Sequence, residues 1–385
     1  MNISSKNKWF MTGFIFLNMV ILGLAHAVRG PVLPFIKEEY LLSYSALAFM
    51  ITVCSLGLLL GVLIGGRLCE RFGYKKGMIS VSIFLSFSLA ALSFHTSFVS
   101  LSVNFFFIYV ALGFIDIALN SLGSRMFITK TAILMSLAHF FFGVGSAGGS
   151  QYAGYMLANE IPWRFIMTSI FIVYAVSMLI ACFAKFPEVN IENKNAGLPF
   201  ITVIKDVRVW LGFGTMGFCL VFDLGIFNWL IIYLREVQGM SPDTSASYLA
   251  LYFVFFSIGR LLGGVAAEKF GYIRTFFVCI VSAVAFFVTG IVTGSALSFA
   301  IIGLFSSVFF PLFLSIVIRE FKSDAPAVIN VILPLNNILF MVSSVLLGVL
   351  MDYLGARIGF YTIVLFVIIA PVFLFAFKKR VMNEK

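Results

Sequence analysis

Charge is scarce in this chain. Asp, Glu, Lys and Arg make up 11% of the 385 residues, against a hydrophobic share of 61%, and a soluble domain needs far more charge on its surface. Histidine occurs 3 times and cysteine 5 times, at Cys54, Cys69, Cys182, Cys219 and Cys279, with no CxxC pair among them. That spacing argues against a metal or redox framework, and cysteines in or beside apolar stretches read as small buried hydrophobes. Paired acids, a nucleophile–base set and metal-spaced clusters are also missing, so neither an enzyme nor a cofactor is expected. The amino terminus lacks a small-residue cleavage site. Met1 to Lys8 is polar and leads directly into an apolar run, which reads as a first span rather than a removed signal.

What the chain has is apolar length. Phe alone supplies 47 residues and the mean hydropathy is +1.08. Apolar runs of 18 or more residues recur from end to end, the pattern of a polytopic helical membrane protein. Twelve spans are predicted, at 9–35, 44–66, 77–95, 98–123, 132–157, 163–184, 208–234, 245–267, 274–294, 296–318, 326–350 and 357–377. Many exceed the ~20 residues needed to cross, so tilted helices with ends among the headgroups are expected. Gly73, Ser241-Pro242-Asp243, Gly271 and Gly355 supply turn chemistry at the breaks. The fold class is therefore an all-α membrane protein of twelve transmembrane helices in two pseudo-symmetric six-helix bundles. Residues 1–186 form the first bundle and 208–385 the second. Between them runs a polar cytoplasmic linker, 187–207, which carries Glu188, Glu192, Asn193, Lys194 and Asn195.

The formal net charge is +10, a balance that suggests nucleic acid until the cations are placed. With the amino terminus inside, 20 of the 26 lie in inner segments, only Lys37, Arg164, Arg235 and Arg357 lie outside, and Arg29 and Arg260 fall within spans. The positive-inside rule then puts both termini in the cytoplasm and supports an even number of spans. The surplus is topological, and no nucleic-acid partner is expected. The expected surroundings are the lipid bilayer of a bacterial plasma membrane, a monomeric protein and a small-molecule solute.

One stretch occurs twice. Gly61 to Lys76 is repeated at Gly259 to Arg274, with Gly65-Gly66 matching Gly263-Gly264, Glu70 matching Glu268, and Phe72-Gly73-Tyr74 matching Phe270-Gly271-Tyr272. The offset is 198 residues, about half the chain, the mark of a duplicated bundle. Glycines let helices approach closely and turn sharply. Glu70 is placed to satisfy helix-start amides of span three, and Arg71, Lys75 and Lys76 to anchor to headgroups or to acids of the opposite half. Gly66-Arg-Leu68-Cys-Glu70-Arg71-Phe-Gly73-Tyr74-Lys75-Lys76 resembles the G-x-L-x-D-R-x-G-R-K loop of the major facilitator superfamily, between spans two and three as in that family. Glu70 stands for the usual aspartate and Tyr74 for a usual basic residue. The resemblance covers all twelve spans and implies alternating access, with a gating loop of Gly66, Glu70, Arg71, Gly73, Lys75 and Lys76 that latches the halves on the cytoplasmic side.

Ionisable residues inside spans are candidate functional groups because burying them is costly. Asp116 in span four sits among apolar residues with Asn120 one turn on, the setting a proton-coupling carboxyl needs. His139 in span five lies at the same depth: each is nine residues from its inner boundary, at Arg125 and Lys130, about 13 Å along a helix. Asp223 in span seven is near midplane, followed by Asn228 and Trp229. A carboxylate, an amide and an indole on one helix suit a polyhydroxylated ligand, and the indole equally suits ordinary packing. Asn336 and Asn337, after the helix-bending Pro334, and His26 and Arg29 in span one are further candidates for solute contact. Arg29 either snorkels outward or faces a cavity as an anion contact. Arg260 after Gly259 resembles the Gly-Arg pair of span eight in the family, a structural feature.

A narrower resemblance is to the branch containing fucose and hexose permeases. It rests on Asp116 with Asn120, on His139-Phe-Phe-Phe-Gly143-Val-Gly145, and on Asp223 six residues before Trp229. It implies proton-coupled sugar symport with Asp116 in the coupling role. The fucose permease has a second acid in span one where this chain has Arg29-Gly30-Pro31, and its span-five Gly-Pro is here Gly149-Ser150. The span-four arginine motif of drug antiporters is absent from Ser100 to Gly123. The expectation is secondary transport of a sugar or similar solute with the proton as coupling ion. The alternatives are a proton-coupled exporter of drugs or amphipathic lipids, and a non-transporting sensor of transporter fold.

Overall fold

The structure, a computed structural model, describes residues 5–127, 131–184, 186 and 200–383. Most of the expected linker, 187–199, lies outside the described residues, as do Lys130, Lys185, Lys194 and Lys385 of the inner cations. In chain order the helices are α1 (Ser5–Ala27), α2 (Arg29–Glu39), α3 (Tyr44–Phe72), α4 (Tyr74–Ala91), α5 (Phe98–Met126), α6 (Thr131–Ala158), α7 (Trp163–Phe183), α8 (Phe200–Lys205), α9 (Val207–Ile232), α10 (Pro242–Phe270), α11 (Tyr272–Thr293), α12 (Ala296–Ser306), α13 (Phe309–Phe321), α14 (Ala325–Tyr361) and α15 (Ile363–Asn383). No strand occurs among the described residues.

Apart from the short α8, which lies in the expected linker, these helices correspond to the twelve expected spans. Span one is α1 and α2 with a break at Val28, just before Pro31 and Pro34; span ten is α12 and α13. Spans ten and eleven form one apolar stretch, Ala296–Tyr361. Gly355, at φ 81, breaks α14 between the expected spans eleven and twelve. Gly73 and Gly271 hold φ values of 87 and 89 between α3 and α4 and between α10 and α11, a region open to glycine at little cost. Serine or aspartate starts several helices: Ser43, Ser97 and Ser295 accept from the amides of Ala46, Ser100 and Ser298, and Asp206 accepts from Arg208 N at 2.8 Å. Burial works against the charge of Asp206, but its bonds to Arg208 more than offset that and hold the carboxyl below its usual value.

The described residues fall into two compact units, one within Met1–Glu192 and Met240–Ala250, the other within Asn193–Gly239 and Leu251–Lys385. The opening turns of α10 belong to the first, where Ser150 Oγ donates to the Ala246 carbonyl at 2.9 Å and Ser247 Oγ to Gln151 Oε1 at 2.9 Å. In unit 1 the helix pairs α3–α5 and α1–α6 meet backbone to backbone. A Cβ on Gly61 would strike the Val110 carbonyl, and one on Gly145 the Val20 carbonyl. In unit 2 the α10–α12 pair repeats this at Gly259, against Leu304, and at Gly303, against Tyr252. The rest of that unit relies on rings: Tyr233 stacks on Phe360 at 4.4 Å, and Phe287 and Phe299 complete the cluster.

A clasp closes the far end of unit 1. Glu39, at the end of α2, takes Trp163 Nε1 and Arg164 from the start of α7, each at 2.7 Å, and Arg164 also donates to Tyr40 Oη at 2.7 Å.

Close approach makes a prediction. Gly145→Ala puts its methyl on the Val20 backbone, whereas Gly148→Ala meets nothing within 4 Å. Gly145→Ala is expected to cost about 1–3 kcal/mol and lower the unfolding temperature of the purified protein, with Gly148→Ala at or above the parent value.

Candidate functional site

Each unit carries its own buried polar cluster, built from several helices. In unit 1, α5 brings Asp116 and Asn120 together: Asn120 Nδ2 donates to Asp116 Oδ1 at 2.8 Å and to the Asp116 carbonyl at 3.0 Å. Asp116 is half-buried and lies in electrostatic range of Tyr174 on α7, whose buried hydroxyl finds no hydrogen-bond partner among the described residues. His139 on α6 is half-buried as well. Asp116 and Asn120 are therefore bonded to each other, and Asp116 and His139 have further partners in the fold.

A second group in unit 1 surrounds Arg29. This arginine is 5% exposed, so it does not snorkel to the surface. Its guanidinium lies 4.8 Å from the centre of the Tyr109 ring on α5, and it hydrogen-bonds the thiol of Cys54 on α3. His26, one turn earlier on α1, meets the Tyr109 ring edge-on at 5.6 Å and Phe142 at 5.9 Å. Cation, imidazole, phenol and thiol thus converge from four helices. Tyr109 and Cys54 escaped sequence reading. Neither stands at a telling spacing from Arg29, and Cys54 reads as a hydrophobe until a cation is placed beside it.

Unit 2 centres on Asp223. Its carboxylate accepts from Tyr252 Oη on α10, and Ser306 of α12 bonds the same hydroxyl at 3.0 Å. Ser306 also bonds the carboxyl, and Arg260 of α10 acts on it across the cluster. Tyr252 and Ser306 are 1% and 2% exposed, while Asp223 is only half-buried. The residue is thus less enclosed than the two partners that hold its carboxyl. Arg260 has a second contact with the Phe256 ring at 4.8 Å. It belongs to the polar cluster as well as to the packing that the Gly-Arg pair implied.

The remaining residues have less open positions. Asn228 is 2% exposed and donates to the Leu224 carbonyl at 2.7 Å, and Trp229 is 1% exposed. Both are held in the packing of unit 2. Asn337 Nδ2 donates to the Leu333 carbonyl at 3.2 Å. Asn336 is 2% exposed and neither amide atom finds a partner among the described residues; Gly217 on α9 makes the room it occupies.

In the loop motif, Glu70 does not satisfy amides at the start of α4. It faces Arg125 at the end of α5, 3.7 Å away, because the glycine turn carries α4 off in a new direction and leaves the acid beside α5. Arg125 also lies over the Tyr74 ring at 5.7 Å. The second copy repeats the trio. Tyr272 Oη donates to Glu268, and Arg319 at the end of α13 lies 4.1 Å over the Tyr272 ring. Lys75 donates to the Cys182 carbonyl at 2.6 Å, which ties the loop to α7, and Arg71 lies over Phe72 at 5.3 Å. The aromatic that replaces the usual basic residue is thus the ring on which the arginine rests.

The comparisons with known proteins agree with this architecture. The model of the Major Facilitator Superfamily matches residues 15–333 and 213–384. The cis,cis-muconate transport protein of Acinetobacter baylyi is 24% identical over 273 residues, which cover 67% of this chain and 66% of that one. Protein TsgA of Escherichia coli O157:H7 is 21% identical over 375 residues, 94% of this chain and 92% of its own. Among solved structures, a bacterial homologue of the human lysosomal transporter Spinster, inward-facing and unoccupied, aligns with a TM-score of 0.78 at 14% identity over 100% of this chain and 99% of that one. The transporter FucP in the outward conformation aligns at 0.66, 18% identical, over 96% and 99%.

Two loop variants test the Glu70–Arg125 pair and the Gly73 turn. Glu70→Ala and Gly73→Leu are expected to impair transport while the protein still inserts, Gly73→Leu because a side chain at φ 87 is strained. Arg125→Ala should match Glu70→Ala, and the double variant should lose little more than either single one. Additive losses in vesicle uptake, at equal membrane abundance, would show that the two residues act apart.

Proposed function

The chain belongs to the major facilitator superfamily, and from that premise we propose that it is a secondary active transporter working by alternating access, a symporter of protons with a small polar solute of the sugar or polyol kind. It works as a multi-pass protein of a bacterial plasma membrane with both termini in the cytoplasm. The observation that carries the reading is the chain of exchangeable groups in unit 2, Asp223 to Tyr252 to Ser306, with Arg260 in range. The carboxyl takes up or releases a proton there, while the phenol and the hydroxyl keep it hydrogen-bonded in both states. Ionised Asp223 is balanced by Arg260; protonated, it frees that cation for other partners. A shift of that kind biases two packings of a bistable bundle, which is all that alternating access requires. Asp116 with Asn120 supplies the same chemistry in unit 1, with His139 as a relay.

One observation favours a second solute class. Arg29 is a buried cation on an aromatic face, a setting suited to a carboxylate. The muconate transport protein among the relatives is named for a dicarboxylate.

Reconstitution into liposomes under a pH gradient separates these readings. Sugars or polyols are expected to drive proton uptake, Asp116→Asn and Asp223→Asn to abolish it, and His139→Gln to weaken its pH dependence; a His139→Gln protein with unchanged pH dependence would assign the proton to the carboxylates alone. Proton movement driven by muconate instead, and weakened about 10- to 100-fold in apparent affinity by Arg29→Gln, would select the carboxylate class. Movement driven only by cationic drugs would overturn both.

A further inference from the structure

Unit 1 holds a cavity of about 480 Å³ that the transport reading does not use. Ile64, Leu68 and Phe72 of α3 form one wall, and Lys76, Ser80 and Phe84 of α4 the other. Each set is spaced by four residues, so each is one face of a helix. At about 1.5 Å per residue the walls run alongside each other for about 12 Å. Phe114 of α5 closes the floor; it is 8% exposed, whereas the wall residues Ile64, Phe72 and Phe84 are 46%, 54% and 40% exposed. The result is an open apolar trough on a helix face.

Its charge is confined to one end. Lys76 is exposed, and no hydrogen bond or ion pair engages it among the described residues. Its neighbours are already engaged. Lys75 is bonded to the Cys182 carbonyl, and Arg71 lies over Phe72. One cation without a counter-ion therefore stands at the mouth of an apolar trough, in a chain whose spans are surrounded by lipid. The second copy of the motif puts Arg274 in the place of Lys76, but the cavity there is smaller, about 350 Å³, and Glu320 shares its lining with Arg274 and Arg319. The apolar trough with an unbalanced cation is thus a feature of the first copy.

We propose that this trough is a binding site for an anionic phospholipid, with one acyl chain along the α3–α4 walls and the headgroup phosphate on Lys76. The lipid would rest against Phe72 and Lys76, on either side of the Gly73 turn, and so stabilise the loop conformation in which Glu70 faces Arg125. The site does not depend on which solute the protein carries or on proton coupling.

The test uses the full chain carrying Phe84→Trp, compared with the parent to subtract the native indoles. It is reconstituted in phosphatidylcholine vesicles with increasing brominated phosphatidylglycerol or brominated phosphatidylcholine. Quenching at position 84 is expected to show about a fivefold preference for the anionic lipid, the worth of one lysine near an anionic surface. Lys76→Gln should remove the preference and Lys76→Arg should keep it. Equal quenching by the two lipids overturns the proposal, as does a preference unchanged by Lys76→Gln. If Lys76→Gln does not fold, the salt dependence of the unsubstituted site decides. A preference that survives about 1 M salt, where the Debye length is about 3 Å, also overturns it.

Discussion

A hydrogen-bonding or charged side chain inside a bilayer has no water to fall back on, so its partners must come from protein. Every major feature of this molecule follows from that demand. Helices satisfy their own backbones, which leaves side chains as the groups to be paired, and the chain keeps those few. Where it does place an ion within a span, it surrounds it from neighbouring helices. Arg29 has the Tyr109 ring and the Cys54 thiol; Asp223 has Tyr252 and Ser306. Such arrangements hold only if the helices that carry them stay in register. The glycine contacts of α1 with α6, α3 with α5 and α10 with α12 supply that register, because backbones in direct contact leave no slack for sliding.

Duplication explains which features recur and which do not. Both copies keep the glycine turn at positive φ and the acid–tyrosine–arginine trio, Glu70, Tyr74 and Arg125 in one and Glu268, Tyr272 and Arg319 in the other. The internal geometry of the trio differs. In the first copy the acid faces the arginine, and in the second it takes the tyrosine hydroxyl while the arginine moves onto the ring. What the two halves share is a way of ending a helix and fixing the next; the polar clusters above those ends have diverged.

The fold was legible because its signals are local. Apolar length located the spans, and Gly73, Gly271 and Gly355 marked turns that the backbone does adopt. Of the site, pairs on one helix were legible: Asp116 and Asn120 stand four residues apart, and that spacing alone brings them together. Partners on different helices were not. Tyr252 and Ser306 lie far from Asp223 in sequence, and Arg125 is well beyond the motif that holds Glu70. The inward or outward turn of a residue was also hidden. Asn228 and Trp229 follow Asp223 on the same helix, yet they are packed in the unit while the acid is only half-buried. A helix presents a different face every residue, and only its neighbours decide which face is covered.

The unit 2 cluster also ties the charge of the solute to the strength of coupling. For a neutral solute, protonating Asp223 changes what the carboxyl donates and accepts, and a net hydrogen bond contributes only about 1 kcal/mol. For an anion drawn to Arg260, ionised Asp223 is a like charge. At a separation of about 6 Å and an effective dielectric constant of about 20, the repulsion costs about 3 kcal/mol, and one proton removes it. Two orders of magnitude in affinity then depend on the proton for an anionic solute, against about one for a neutral one. A neutral solute must recover the difference through several hydrogen bonds that change together, which requires the tyrosine, the serine and the acid to move as one group. The burial of the tyrosine and the serine and the direct bonds among the three make that possible, and Arg260 beside them leaves the anionic route equally open.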